Sequence, residues 1–122
     1  MDSFKKCELE SDISRVVADF RKSVTGKGPD SVNVFIKGDM IILREKGVFT
    51  TQEEELVKTE KGRQIVKQLQ VIISETVAAK LQEIVLSLTG CQVISCHSDI
   101  STKTGERVEI FVLDKNLERV VS

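Results

Sequence analysis

Ser31-Val32-Asn33-Val34-Phe35-Ile36-Lys37-Gly38-Asp39-Met40-Ile41-Ile42-Leu43-Arg44-Glu45 consists of two alternating runs that meet at a Gly-Asp pair. Alternation at period two marks half-buried strands, and Gly-Asp suits a two-residue turn because glycine accepts positive φ. The turn sets the register. Ile36 falls opposite Ile41 and Val34 opposite Leu43 on one face, with Phe35 opposite Ile42 and Asn33 opposite Arg44 on the other. One antiparallel hairpin, residues 31–37 with 40–45, is therefore expected.

Upstream, Leu9, Ile13, Val16, Val17, Phe20 and Val24 recur at helical spacing with charges between them, which predicts an amphipathic helix near residues 8–25 that Gly26 stops. Downstream, Thr50 and Thr51 each stand three residues before a glutamate, the capping-box pattern, at the head of a short helix carrying Leu56 and Val57. A second start follows at Thr59. From there Ile65, Val66, Leu69, Ile72, Ile73, Val77, Leu81, Ile84, Val85 and Leu88 trace one stripe to Gly90, a helix of roughly 30 residues and ~43 Å. Such a helix is longer than a small sheet is wide. Its excess is expected to pack on a second copy of the chain or on a partner helix.

Residues 91–100 and 106–113 read as two more strands, and Asp114 is placed to cap a last short helix holding Leu117, Val120 and Val121. If the intervening loop pairs Ile100 with Glu106, His97 falls opposite Glu109, which would raise its pKa, and Asp99 falls opposite Arg107. On that register Val32, Val34, Ile36, Ile41, Leu43, Ile94, Cys96, Val108, Ile110 and Val112 lie under the helices. Phe35, Met40, Ile42, Val93, Phe111 and Leu113 then share the other face, more apolar surface than a solvated sheet needs. Phe35, Ile42, Phe111 and Leu113 are therefore the candidate interface of a homo-oligomer, expected to be a dimer. Both halves run helix, Thr-Gly, strand, turn, strand, a weak αββ repeat. The expected fold is α+β, a two-layer sandwich in the order αββααββ, with a four-stranded antiparallel sheet packed by one long and one medium helix, in one domain over residues 1–122.

Composition removes several classes of function. Lysine and arginine total 18 against 19 acidic residues, interleaved in sign, so there is no basic stripe for nucleic acid. Five phenylalanines without tyrosine or tryptophan give little material for base stacking. Three cysteines, an odd count without zinc-motif spacing, fit reduced thiols in a cytoplasm, with no metal or cofactor expected. No stretch approaches the ~18 apolar residues that cross a bilayer, and Met1-Asp2-Ser3-Phe4-Lys5-Lys6 lacks a signal-peptide apolar region, so no direct membrane insertion is expected.

The only histidine, His97, sits in the polar run Cys96-His97-Ser98-Asp99-Ile100-Ser101. Ser95, His97 and Asp99 alternate on one strand face, which invites a hydrolase reading, but side chains at i and i+2 stand nearly parallel, ~6.5 Å apart, and Ser98 points the other way. No Gly-x-Ser-x-Gly elbow is present, and one histidine without a nucleophile elbow or metal motif argues against an enzyme. Gly26-Lys27-Gly28-Pro29 resembles a phosphate cradle, yet a Walker loop follows a strand and opens a helix, and here the order is reversed. Helix termination explains it more simply. The ligand-binding candidates are Gly26, Lys27, Gly28, His97, Ser98 and Asp99, beside the hydroxyls of Ser95, Ser101, Thr102 and Thr104.

Gly26-Lys27-Gly28-Pro29 before Val32-x-Val34, Phe49-Thr50 followed by Glu53 and Leu56, Thr59-x-x-Gly62-Arg63, Thr89-Gly90, Asp99-Ile100 and Val108-x-x-Phe111-x-Leu113 form an ordered set that resembles the MpsC-like family of small bacterial proteins over nearly the whole chain. Thr51 stands where that family is expected to carry proline, and Gln70 where a basic residue is common. The resemblance implies a soluble accessory or regulatory subunit of a Na+-translocating, membrane-potential-generating system. It would be cytoplasmic or peripheral to the inner face of the membrane, with integral membrane proteins of that system as partners. It carries over no catalytic residues. A small-molecule or anion-binding regulator using residues 26–29 and the His97 region is the alternative expectation.

Overall fold

The computed structural model describes residues 3–121, so Met1, Asp2 and Ser122 of the expected 1–122 span lie outside it. The elements are α1 (Ser3–Thr25), β1 (Ser31–Lys37), β2 (Met40–Lys46), α2 (Thr51–Leu56), α3 (Glu60–Thr89), β3 (Val93–Ser101), β4 (Glu106–Leu113) and a short α4 (Leu117–Val121). The αββααββ order and the antiparallel four-stranded sheet are those the sequence predicts. The sheet order is β1-β2-β4-β3, so the two hairpins abut through β2 and β4 and leave β1 and β3 as edges. One face is covered by α1 and α3, which close a core of Ile13, Val17, Val34, Ile36, Ile41, Leu43, Val77, Leu81, Val85, Phe111 and Leu113. A smaller cluster of Phe49, Val66 and Ile100 seals the end where α2 meets α3.

The first hairpin has the expected register, with Ile36 on Ile41, Val34 on Leu43, Phe35 on Ile42 and Asn33 on Arg44. The second does not. Ser101 pairs with Glu106 and Ile100 with Arg107, which puts His97 opposite Ile110, Asp99 opposite Val108 and Ser98 opposite Glu109. The expected His97–Glu109 and Asp99–Arg107 pairs are therefore absent. The loop explains the slip: Gly105 takes φ +72 and donates its N–H to the Ser101 carbonyl at 2.9 Å, closing a four-residue turn one residue out of phase with the expectation. As a result Phe111 and Leu113 are 0% and 2% exposed in the core, not at an outer interface, while Val108, Ile110 and Val112 turn outward beside Phe35 and Ile42. Ile94 is also outward, because an irregularity between Val93 and Ser95 turns Val93 to the core in its place.

Helix α3 begins as expected, with the Thr59 hydroxyl accepting from the Gly62 N–H at 3.0 Å, and ends at Gly90 in the left-handed conformation. Its apolar stripe divides in two. Val66, Val77, Leu81 and Val85 face the core, whereas Ile65, Leu69 and Ile72 are exposed on the outer side. At its first turn α3 presses on the end of α2 so closely that a Cβ on Gly62 would lie 1.7 Å from the Leu56 carbonyl oxygen. The cap of α4 is Asn116, whose Oδ1 accepts from the Arg119 N–H at 3.0 Å. Asp114, the expected cap, instead accepts from the Gln92 N–H at 2.9 Å and ties β3 to the end of β4.

Candidate functional site

Arg21 lies four residues after Val17 on the inward side of α1, Glu45 two after Leu43 on β2, and Arg107 and Glu109 four and two before Phe111 on β4. Helical and strand periodicity thus aim four charged side chains into one end of the core. There they pair. Arg21 donates Nε to Glu45 Oε1 at 3.0 Å and Nη2 to Glu45 Oε2 at 3.3 Å, and Nη2 also bonds Glu109. Arg107 donates Nη1 to Glu45 Oε1 at 3.4 Å and Nη2 to the Gln70 side-chain oxygen. Gln70 Nε2 donates to Glu53 Oε2 at 2.6 Å, and Glu53 closes a capping box with Thr50. The network therefore runs from α1 through β2 and β4 to α3 and α2.

Two guanidinium groups stand against three carboxylates there, and all are buried. Burial first, and then the positive charge of Arg21, lower the Arg107 pKa to about 10 against the pull of Glu45 and Glu53, so Arg107 remains charged at neutral pH. Its Nε is the single buried side-chain nitrogen or oxygen without a hydrogen-bond partner among the described residues. Gln70 supplies an acceptor to Arg107 and a donor to Glu53 with one neutral amide.

This network is the floor of a cleft between α3 and the edge strand β3, with a volume of about 230 Å³. Val71, Ser74, Glu75 and Ala78 form the helix wall; Cys96, Ser98, Asp99 and Ile100 form the strand wall; Gln70, Arg107 and Glu109 close the bottom. Lys67 bridges the strand end, with Nζ donating to Asp99 Oδ1 at 2.6 Å and to the Ile100 carbonyl at 2.7 Å. Those contacts, led by the Lys67 hydrogen bond, hold the Asp99 pKa below its ordinary value. Cys96 donates to Glu109 Oε2 at 3.8 Å, and burial raises its pKa against the field of Arg21. A thiol so placed stays protonated at neutral pH and is a weak nucleophile. Among the described residues no three histidines, cysteines or carboxylates converge as a metal site.

The expected ligand residues do not come together. Ser98 and Asp99 stand at the mouth of the cleft, but His97 points to the outer sheet face. Gly28 and Pro29 border a separate space of about 20 Å³ on the other side of Arg107 and Gln70. Lys27 fastens its own loop, donating to the Gly47 and Gly28 carbonyls and pairing with Asp30 at 3.4 Å, an arrangement that serves loop closure. Of the neighbouring hydroxyls, Ser101 accepts from the Thr104 N–H at 3.3 Å within the β3–β4 turn. The charged floor itself was missed by the sequence reading, although the spacing of Arg21 from Ile13 and Val17, and of Gln70 from Val66, placed both on the buried stripes.

The chain matches the family model described as "Na+-translocating membrane potential-generating system (MpsC)" over residues 5–115. It is 37% identical over 120 residues to the uncharacterized protein YbcI of Bacillus subtilis, covering 95% of this chain and 97% of that protein. It is 23% identical over 104 residues to the uncharacterized protein YrhF of the same organism, covering 84% and 85% respectively. No solved structure matches. With the family model spanning the hairpins, α3 and the charged floor, the chain belongs to the MpsC family.

Proposed function

We propose that this chain is a non-enzymatic accessory or regulatory protein of a Na+-translocating, membrane-potential-generating system and that it acts through protein–protein contacts. The observation that carries this reading, beside the family's description, is the outer stripe of α3. Ile65, Leu69 and Ile72 follow one another at i, i+4 and i+7, and are 46%, 42% and 60% exposed. Apolar anchors at that spacing are what a helix presents to a partner's groove. No described helix is long and apolar enough to cross a membrane, so ion conduction along a helical path falls to other proteins of such a system. The test is the Na+-driven potential, followed with a potential-sensitive dye in vesicles from bacteria carrying the wild-type chain, no chain, or Ile72→Lys. Loss of the chain should change the potential, and Ile72→Lys should match that loss while folding normally. Equal potentials in all three would overturn the reading.

A second reading, a small-molecule regulator, is favoured by the α3–β3 cleft, where Arg107 and Glu109 lie together at the bottom of about 230 Å³. A small polar molecule with both acceptor and donor groups suits that floor. Free amino acids and carboxylates at millimolar concentration should raise the melting temperature, and Ser98→Tyr, which fills the mouth, should abolish the shift. No shift with any of them would count against it.

A further inference from the structure

The sheet face turned away from α1 and α3 carries a contiguous apolar centre. Cross-strand pairing lays Phe35, Ile42, Ile110 and His97 in one row across all four strands, flanked by Met40 and Val112 on one side and Val108 on the other. Phe35 is 49% exposed, and the five aliphatic residues are partly exposed. An apolar sheet face of this kind is normally covered by a second layer. The charges on this face are divided by strand. The β1–β2 half carries Lys37, Arg44 and Lys46, whereas the β4–β3 half carries only Glu106, which bonds Arg44 of the same copy at 2.8 Å, because the Asp99 carboxylate is drawn round the sheet edge to Lys67.

We propose that this face pairs with the same face of a second copy, β1 lying over the other copy's β3 and β2 over its β4, about a two-fold axis parallel to the strands. Charge selects that axis. A two-fold across the strands would set each lysine-bearing half on itself, whereas the parallel axis sets it over a half whose strands carry no lysine or arginine on this face. The apolar row is then self-complementary, with Ile42 over Ile110 of the second copy and Phe35 over its His97. Four strands ~4.8 Å apart and about 20 Å long present roughly 400 Å² per copy, so a pair buries roughly 800 Å², the size of a weak, concentration-dependent interface. This pairing holds whether or not the α3 stripe meets another protein, since the two surfaces lie on opposite layers.

Sedimentation velocity of the full chain, from micromolar to hundreds of micromolar, should show a monomer–dimer equilibrium. Ile110→Lys and Phe35→Lys should each weaken it by at least ~30-fold, the first by burying an unpaired charge at the centre of the interface and the second by setting a cation against His97 of the second copy. Phe35 is on an edge strand and half exposed, so its variant should keep the wild-type melting curve even if Ile110→Lys does not. For orientation, Phe35→Cys and His97→Cys are made in a Cys7→Ser background and treated with a short bifunctional thiol reagent. A mixture of the two variants should cross-link, and neither alone should. A monomer throughout, a dimer indifferent to Phe35→Lys, or linkage of Phe35→Cys to itself would each overturn the proposal.

Discussion

Glu45 is the hinge of the buried charge network, accepting from both Arg21 and Arg107 at 0% exposure. Removing it leaves two guanidinium groups short of a counter-charge in the core, a change that typically costs about 3–5 kcal/mol. Urea denaturation of Glu45→Ala should show a loss of that size, and a loss below about 1 kcal/mol would mean the network contributes little. Asp99 offers a gentler test. Lys67 depresses its pKa in the folded state, so this contact between α3 and β3 adds stability above the unfolded aspartate value of 3.8 and is lost as pH falls through the lower folded value. An NMR titration of the Asp99 carboxyl should show that depressed value, and Lys67→Met should return it toward 3.8; no change would refute the contact. At this scale the sequence was legible where side chains were apolar. Arg107 and Glu109 were set opposite Asp99 and His97 by the assumed register, and it is their partners from α1, β2 and α3 that make burial tolerable.

Among the elements, turns and caps were the readable parts. Gly38-Asp39 fixed the first hairpin register, and Thr50, Thr59 and Gly90 marked helix ends where the structure has them. The second hairpin resisted because β4 has apolar residues in both phases, Val108, Ile110 and Val112 in one and Phe111 and Leu113 in the other. Alternation cannot choose between such phases, and the four-residue loop did. Gly62 bears most directly on how α2 and α3 meet. Alanine there would drive its Cβ into the Leu56 carbonyl, so Gly62→Ala should destabilise by roughly 2 kcal/mol or more and raise amide exchange across α2. Wild-type stability in that variant would mean the two helices are not in such close contact.

On the scale of the whole molecule, α1 and α3 cover one face of the sheet, and charged groups seal the end of the core beneath the α3–β3 cleft. The phase of β4 decides this arrangement, since one residue of slip would carry Arg107 and Glu109 outward and return Phe111 and Leu113 to the exposed face. Cross-strand nuclear Overhauser effects between β3 and β4 measure that phase without any substitution. Contacts pairing His97 with Ile110 and Ser98 with Glu109 are the predicted result, and backbone contacts pairing His97 with Glu109 would contradict it.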